Sequence, residues 1–126
     1  MAQRTLVLVK PDGVKKGLKI AAMRMLQMDK ALARKHYAVH DGKPFFAGLV
    51  DFITSGPIVA VVVEGEKSVE VVRKLMGETD PVKAAPGTIR GDYGLDIGEN
   101  LIHGSDSEEN AQVEISLFFP DLKPAK

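Results

Sequence analysis

The stretch Ile58-Val59-Ala60-Val61-Val62-Val63 is the clearest β-strand in the chain, and it decides the fold class. A short apolar run rich in β-branched residues is typical of a buried strand. Residues 44–56 before it predict a helix, with a proline in the first turn and a glycine at the end. Residues 68–76 after it predict another helix, which Gly77 stops. A strand between two helices indicates a mixed α/β domain.

Further strands and helices are predicted on both sides of this centre. Residues 5–9 form a short apolar run that predicts a buried strand. Residues 18–28 fit either a strand or a helix, because their alternating apolar positions include helix-favouring Met, Leu and Ala. Asp29 predicts the N-cap of a helix that reaches about residue 40. Residues 110–119 predict a last helix, although their apolar residues also alternate as in a strand.

Residues 79–91 hold two prolines and two glycines and predict a long structured loop. Loops of this length inside a compact domain are usually functional. Leu101-Ile102 could close a last strand, and residues 120–126 predict a short tail outside the core. The order of these elements predicts an α/β sandwich, with helices packed over a sheet.

Composition limits the classes of function. The chain has 126 residues and 44% hydrophobic content, enough for one domain over residues 1–126 with its own core. Its 17 basic and 17 acidic residues balance, which argues against a nucleic-acid or membrane-surface partner. There is no cysteine, no signal-like apolar segment and no run long enough to span a bilayer. We therefore expect a cytoplasmic protein without a membrane partner.

The segment around His103 carries the most specific chemical signal. Gly104 removes side-chain bulk beside the imidazole, which predicts an open flank for an approaching group. Ser105 and the two residues after it predict a helix start, with capping-box spacing from Ser105 to Glu108. Backbone N–H groups at a helix start favour a phosphate. A lone histidine is most often structural, so the rest of the chain decides whether this one handles phosphate.

Residues 100–107, Asn-Leu-Ile-His-Gly-Ser-Asp-Ser, closely resemble the active-site signature of the nucleoside diphosphate kinases. Further motifs of that family occur in the same order: Lys10-Pro11-Asp12-Gly13, His36-Tyr37, Lys43-Pro44-Phe45-Phe46 with Gly48-Leu49-Val50, Thr54-Ser55-Gly56-Pro57, Gly77-Glu78-Thr79, and Pro86-Gly87-Thr88-Ile89-Arg90-Gly91-Asp92. The resemblance covers residues 4–119. It implies a ferredoxin-like α/β sandwich, βαββαβ, whose four-stranded antiparallel sheet is covered by helices.

The resemblance also implies a reaction. The family moves the γ-phosphate of a nucleoside triphosphate to a nucleoside diphosphate by a ping-pong mechanism through a phosphohistidine. His103 matches the nucleophile, and Glu114 matches the carboxylate that binds the other ring nitrogen. Ser105 lies alongside that carboxylate, and Tyr37 would hydrogen-bond near the γ-phosphate. Without the family, Glu114 would be interpreted as an exposed charge on a helix.

The phosphates and the sugar are expected to meet positive and polar side chains. Lys10, Arg73 and Arg90 match the cations that hold the phosphates, where charge develops during transfer. Arg73 on its helix would by default be a surface charge. Thr79 would donate its hydroxyl to a phosphate oxygen, and Asn100 with Lys10 would hold the sugar hydroxyls.

The base is expected to stack on Phe45, beside Leu49. Stacking tolerates every base because each has a π-face. The alternative for Phe45 is that it fills the core, as we expect of Phe46. Mg²⁺ would arrive with the nucleoside triphosphate and contact the protein lightly, through water to Asp106, because no carboxylate cluster resembles a permanent metal site.

The chain departs from the family between Lys10 and Leu18, where the first crossover helix is missing. Parallel strands normally need a crossover of about a dozen residues. Three explanations compete: the natural protein holds residues here that this sequence does not show, these residues are deleted, or residues 18–40 form one long helix and the second strand is lost. We favour the first, because the motifs on both sides are intact.

The assembly and the competing functions follow from the same comparison. The family forms homo-oligomers, commonly hexamers built from dimers and sometimes tetramers. If the crossover helix is deleted, the alternative is a non-catalytic module that binds nucleotides or proteins. A histidine phosphocarrier acting on a protein partner would share the nucleophile, but it would need neither base stacking nor three cations.

Overall fold

The computed structural model describes residues 2–6, 8, 11, 18–98 and 100–123. Its helices and strands, in chain order, are β1 (Lys19–Leu26), α1 (Lys30–His36), a 3₁₀ turn (Ala38–His40), α2 (Phe46–Ile53), β2 (Ile58–Glu64), α3 (Ser68–Met76), α4 (Ile89–Tyr93) and α5 (Glu108–Phe118). Within the described ranges, no helix is long and apolar enough to cross a membrane.

The two strands pair antiparallel, and this pairing resolves the ambiguity of residues 18–28 in favour of a strand. The hypothesis of one long helix over residues 18–40 is therefore wrong. Leu26 and Ile58 are opposite each other, and both pack against the buried cluster of Met28, Ala33 and Val50. This cluster joins β1, α1 and α2 on one face of the sheet.

The other face of the sheet is apolar and exposed. Met23 pairs with Val61, and Met25 pairs with Val59, so these four side chains share that face. Their exposed fractions are 63%, 43%, 71% and 56% in that order. We call these four residues the open sheet face.

Local sequence signals correctly predict where α1 begins and where α3 ends. The Asp29 carboxylate accepts the N–H of Leu32 at 2.7 Å, which confirms the predicted N-cap of α1. α1 ends at His36, earlier than predicted, and a 3₁₀ turn follows it. α3 has its predicted bounds and ends at Gly77, whose φ of +87° is typical of glycine.

The last helix forms as predicted but begins differently. α5 runs from Glu108 to Phe118, and the Ser107 hydroxyl accepts the N–H of Asn110 as the N-cap. The predicted capping box from Ser105 is therefore wrong. The Ser105 hydroxyl instead donates to the Glu114 carboxylate, a charge-assisted hydrogen bond.

Two predicted strands and part of a predicted loop differ from expectation. Residues 101–102 are in no strand, because Leu101 has a left-handed φ of 75° and Arg90 binds the carbonyls on both sides of it. Thr5, Leu6 and Leu8 are also in no strand, while residues 7 and 9 lie outside the described residues. The end of the predicted loop over residues 79–91 is helical and forms α4.

Candidate active site

The backbone next to His103 is held by two arginines. Arg90 donates through Nη2 to the carbonyl oxygen of Ile102 at 2.6 Å, and through Nε to that of Asn100 at 3.4 Å. Arg73 donates through Nη1 to the carbonyl oxygen of Gly104 at 3.3 Å. Residues 100–104 lie in no helix or strand, so these side-chain bonds replace the ladder that would otherwise order them.

Gly104 packs closely against the end of α3. A Cβ at this position would lie 2.5 Å from Sδ of Met76, which is 1% exposed. The space beside Gly104 is thus filled by the end of α3, so access to the His103 ring does not come through this glycine. The His103 side chain itself is 53% exposed, so the ring remains accessible.

His103 and Ser105 converge on Glu114. Nε2 of His103 lies 2.9 Å from Oε1, and the Ser105 hydroxyl donates to Oε2. Glu114 lies in the second half of α5, with its side chain 20% exposed. Burial raises the pKa of Glu114, but the hydrogen bonds from His103 and Ser105 outweigh burial and leave this pKa below its ordinary value. The carboxylate is therefore ionised and accepts from both groups.

The bond to Glu114 fixes the tautomer of His103. An ionised carboxylate can only accept, so Nε2 must carry the proton. A neutral imidazole then has its lone pair on Nδ1. The arrangement leaves Nδ1 as the atom that can attack an electrophile.

His36 is a member of this site to which the sequence assigned no role. It ends α1, its side chain is 6% exposed, and its Nδ1 lies 4.0 Å from Oε1 of Glu114. Its ring packs edge to face on His103, with centroids 4.7 Å apart, and on Phe118 at 5.5 Å. Burial, reinforced by His103, lowers the pKa of His36 to about 4. The only available signal was the motif His36-Tyr37.

Tyr37 lies beside His36. Its ring centroid is 4.6 Å from that of His36 and 6.3 Å from that of His40. Burial, with the nearby Glu114 charge, raises the pKa of Tyr37. Its phenol therefore stays protonated and can donate a hydrogen bond.

Phe45 and Leu49 lie at the start of α2. Phe45 is 51% exposed, with the His40 ring at 5.3 Å and Nζ of Lys43 at 5.7 Å from its centroid. Leu49 is half-buried, and Phe46 packs against the core as expected. An exposed aromatic face of this kind can stack on a flat ligand.

The expected phosphate and sugar groups lie in different surroundings. Arg73 and Thr79 are exposed, and Asn100 donates through Nδ2 to the carbonyl oxygen of Thr79 at 3.2 Å. Arg90 is only 6% exposed and also donates to the carbonyl of Gly77 at 3.2 Å. Burial and the neighbouring Arg73 lower the pKa of Arg90.

The structure says little about two further expected site residues, Lys10 and Asp106. Lys10 lies outside the described residues, so its role stays a prediction. Asp106 is exposed, and its carboxylate accepts from the side-chain amide of Asn110. A single exposed carboxylate fits an ion that is held mainly by phosphates and water.

Comparison with known proteins identifies the family of the chain. The family model for nucleoside diphosphate kinase matches residues 3–123. The nucleoside diphosphate kinase of Saccharopolyspora erythraea is 57% identical over 136 residues, covering 97% of this chain and all of the relative. That of Archaeoglobus fulgidus is 56% identical, covering 94% of this chain and 87% of the relative. The first alignment is longer than this chain, so the relative holds residues without a counterpart here.

Solved structures of nucleoside diphosphate kinases also match this chain. A halophilic nucleoside diphosphate kinase from Halobacterium salinarum, in complex with CDP, matches with a TM-score of 0.81 and 53% identity over 88% of this chain and 76% of its own. The apo enzyme from Encephalitozoon cuniculi matches with a TM-score of 0.83 and 42% identity, covering 89% and 77%.

The fold is thus the expected ferredoxin-like α/β class, and the chain is a phosphotransferase acting between nucleotides. The chain belongs to the nucleoside diphosphate kinase family. The non-catalytic alternative is not favoured.

Proposed function

We propose that this chain transfers the γ-phosphate of a nucleoside triphosphate to a nucleoside diphosphate through a phosphohistidine on Nδ1 of His103. The observation that carries this proposal is the bond from Nε2 to Glu114, because it leaves the Nδ1 lone pair free. In the first half-reaction Nδ1 bonds to the γ-phosphorus as the bond to the diphosphate leaving group breaks. In the second half-reaction a terminal oxygen of an acceptor nucleoside diphosphate bonds to this phosphorus as the bond from Nδ1 breaks.

Glu114 and Ser105 support both half-reactions electrostatically. When Nδ1 becomes phosphorylated, the ring gains positive character, and the adjacent carboxylate stabilises it. Ser105 fixes the second carboxylate oxygen, so Glu114 keeps its orientation through the cycle. Tyr37, as a protonated phenol near this carboxylate, would donate toward the transferring phosphate.

Arg73 is the exposed cation best suited to the phosphates, because it already lies next to the backbone of Gly104. Arg90 would add charge from a buried position, and Lys10 is carried by the resemblance alone. Thr79 and Asn100, which are joined by a hydrogen bond, would bind a phosphate oxygen and the sugar. The exposed Phe45 would stack on the base, with Leu49 in the same turn of α2.

Mg²⁺ would enter as part of the nucleotide substrate, with Asp106 contacting it through water. We also propose a single domain over residues 1–126, a cytoplasmic location, and a homo-oligomer, either a hexamer or a tetramer built from dimers. The open sheet face supports an oligomer, since contiguous exposed apolar residues mark interaction surfaces.

The proposal is tested by the intact mass of the protein after brief incubation with ATP and Mg²⁺. A gain of one phosphoryl group that disappears on adding GDP is the expected result. The His103→Ala variant should gain none and should still bind ADP, whereas His40→Ala should gain it as the wild type does. Phosphorylation of His103→Ala would overturn the assignment of the nucleophile.

A further inference from the structure

The Nδ1 atom of His36 is buried and, within the described part of the chain, has no hydrogen-bond partner. The side chain is 94% covered, and the 4.0 Å to Oε1 of Glu114 is too long for a hydrogen bond. A buried polar atom that faces a carboxylate without bonding to it is uncommon. The phosphotransfer mechanism gives this atom no task.

Three possible metal ligands meet at this point. One ligand atom each from His36, His103 and Glu114 lies within 4.8 Å of the other two. With its ring proton on Nε2, the buried Nδ1 atom of His36 offers its lone pair to a cation. Two imidazole nitrogens with one carboxylate oxygen suit Zn²⁺ and its neighbours among the transition metals, whereas Mg²⁺ prefers oxygen ligands.

We propose that His36, His103 and Glu114 form a binding site for a zinc-like divalent cation in the nucleotide-free protein. Zinc–ligand bonds of about 2.0–2.1 Å in a tetrahedron place ligand atoms about 3.3 Å apart. The observed separations from Oε1 of Glu114 are 2.9 Å to His103 and 4.0 Å to His36, on either side of that value. The exposed His103 ring can adjust, and the fourth position is left to water.

Occupation of this site would block phosphorylation, a consequence that rests on the proposed function. The cation binds Nε2 of His103, the atom that now bonds to Glu114, and the ring proton moves from Nε2 to Nδ1. A neutral ring then carries its proton on Nδ1. The nucleophile has lost its lone pair, and the carboxylate that supports it is bound to the metal. Zinc would therefore inhibit without competing with the Mg²⁺ of the nucleotide.

Binding is tested first, on the nucleotide-free protein, by competition with a chromophoric zinc chelator and by the visible absorption of Co²⁺. The expected result is one ion per chain, with affinity at least about tenfold weaker in His36→Phe. The matched control is His40→Phe, which removes a histidine outside the cluster and should bind as the wild type does. Equal affinity of His36→Phe and wild type would overturn the site.

The wild-type protein supplies a test that needs no variant to fold. In ¹⁵N–¹H spectra of the histidine rings, one equivalent of Zn²⁺ should shift the nitrogens of His36 and His103 and leave those of His40 in place. Shifts confined to His40, or to none of the three rings, would overturn the site.

Inhibition is measured separately, on protein loaded with one equivalent of Zn²⁺, freed of excess by desalting, and then given ATP with excess Mg²⁺. Phosphohistidine formation should fall at least tenfold and recover after chelation. If the zinc-loaded protein were phosphorylated as fast as the metal-free protein, the proposed inhibition would be wrong, but the metal-binding site would stand. Failure of metal-free protein to phosphorylate would instead overturn the proposed function.

Discussion

The Arg90 guanidinium donates to the carbonyl oxygen of Ile102, the residue before His103, at 2.6 Å. The same buried side chain binds the carbonyls of Gly77 and Asn100, so it ties the end of α3 to the segment that carries the nucleophile. Arg90 thus has a structural role in addition to any contact with phosphate.

We predict that Arg90→Lys lowers the free energy of unfolding by about 1–3 kcal/mol. Lysine keeps the charge but lacks the planar fork, so partly buried carbonyls lose their donors. Urea denaturation measures the change. Arg73→Lys, the same substitution at an exposed arginine, should cost less than about 0.5 kcal/mol. Equal costs in the two variants would contradict the structural role.

Local signals in the sequence predicted much of this fold, because caps and helix ends depend on neighbouring residues. Asp29 as the N-cap of α1 and Gly77 as the end of α3 are examples. The predicted strand at residues 101–102 was wrong for a non-local reason. Arg90, distant in sequence, takes the carbonyls that a strand would have used.

The candidate site was predictable only in part. The approach of Glu114 to His103 was expected from the resemblance, and the structure places Oε1 of Glu114 2.9 Å from Nε2 of His103. The position of His36 was not predictable, since the packing of α1 against α5 brings it there. Gly104 was correctly singled out, but for the wrong reason, because nothing in the local sequence reveals Met76 beside it.

Alanine substitutions at Ser105 and Ser107 should affect different properties, the first activity and the second stability. Ser105→Ala removes a charge-assisted bond to Glu114 and should slow phosphohistidine formation about tenfold. Ser107→Ala removes the N-cap of α5 and should cost about 1 kcal/mol in the free energy of unfolding. Single-turnover mass spectrometry and urea denaturation measure the two effects. If Ser105→Ala instead lowered the stability and Ser107→Ala slowed the reaction, Ser105 rather than Ser107 would be the N-cap of α5.

Glu114→Gln should slow phosphohistidine formation on the order of 10²-fold. The amide keeps the shape of the side chain but neither stabilises positive charge nor fixes the tautomer of His103. Affinity for ADP should change little, because Glu114 is not a proposed nucleotide ligand. The matched control is Glu109→Gln on the first turn of the same helix, which should react at the wild-type rate. A similar loss of rate in both variants would show that the reaction depends on the negative charge of the helix and not on the bond from Glu114 to His103.

Gly104→Ala should destabilise the protein by about 1–3 kcal/mol, since its Cβ would press on the buried Met76. Gly48→Ala in α2 is the control, because a Cβ there has nothing within 4 Å and alanine favours a helix. That variant should be stabilised by roughly 0.5–1 kcal/mol. Thermal or urea unfolding measures both. If Gly104→Ala were as stable as wild type, the close packing of Met76 on this glycine would be wrong.

Met25→Lys tests whether a second copy of the chain covers the open sheet face. Met25 is 71% exposed, so a lysine there should change the stability of an isolated chain by no more than about 0.5 kcal/mol. In an oligomer that buries this face, the same charge would be desolvated, and the mass from light scattering should fall toward the monomer. Val39→Lys, also an exposed apolar residue but on the 3₁₀ turn, should keep the wild-type mass. An unchanged mass for Met25→Lys would show that subunits associate through another surface.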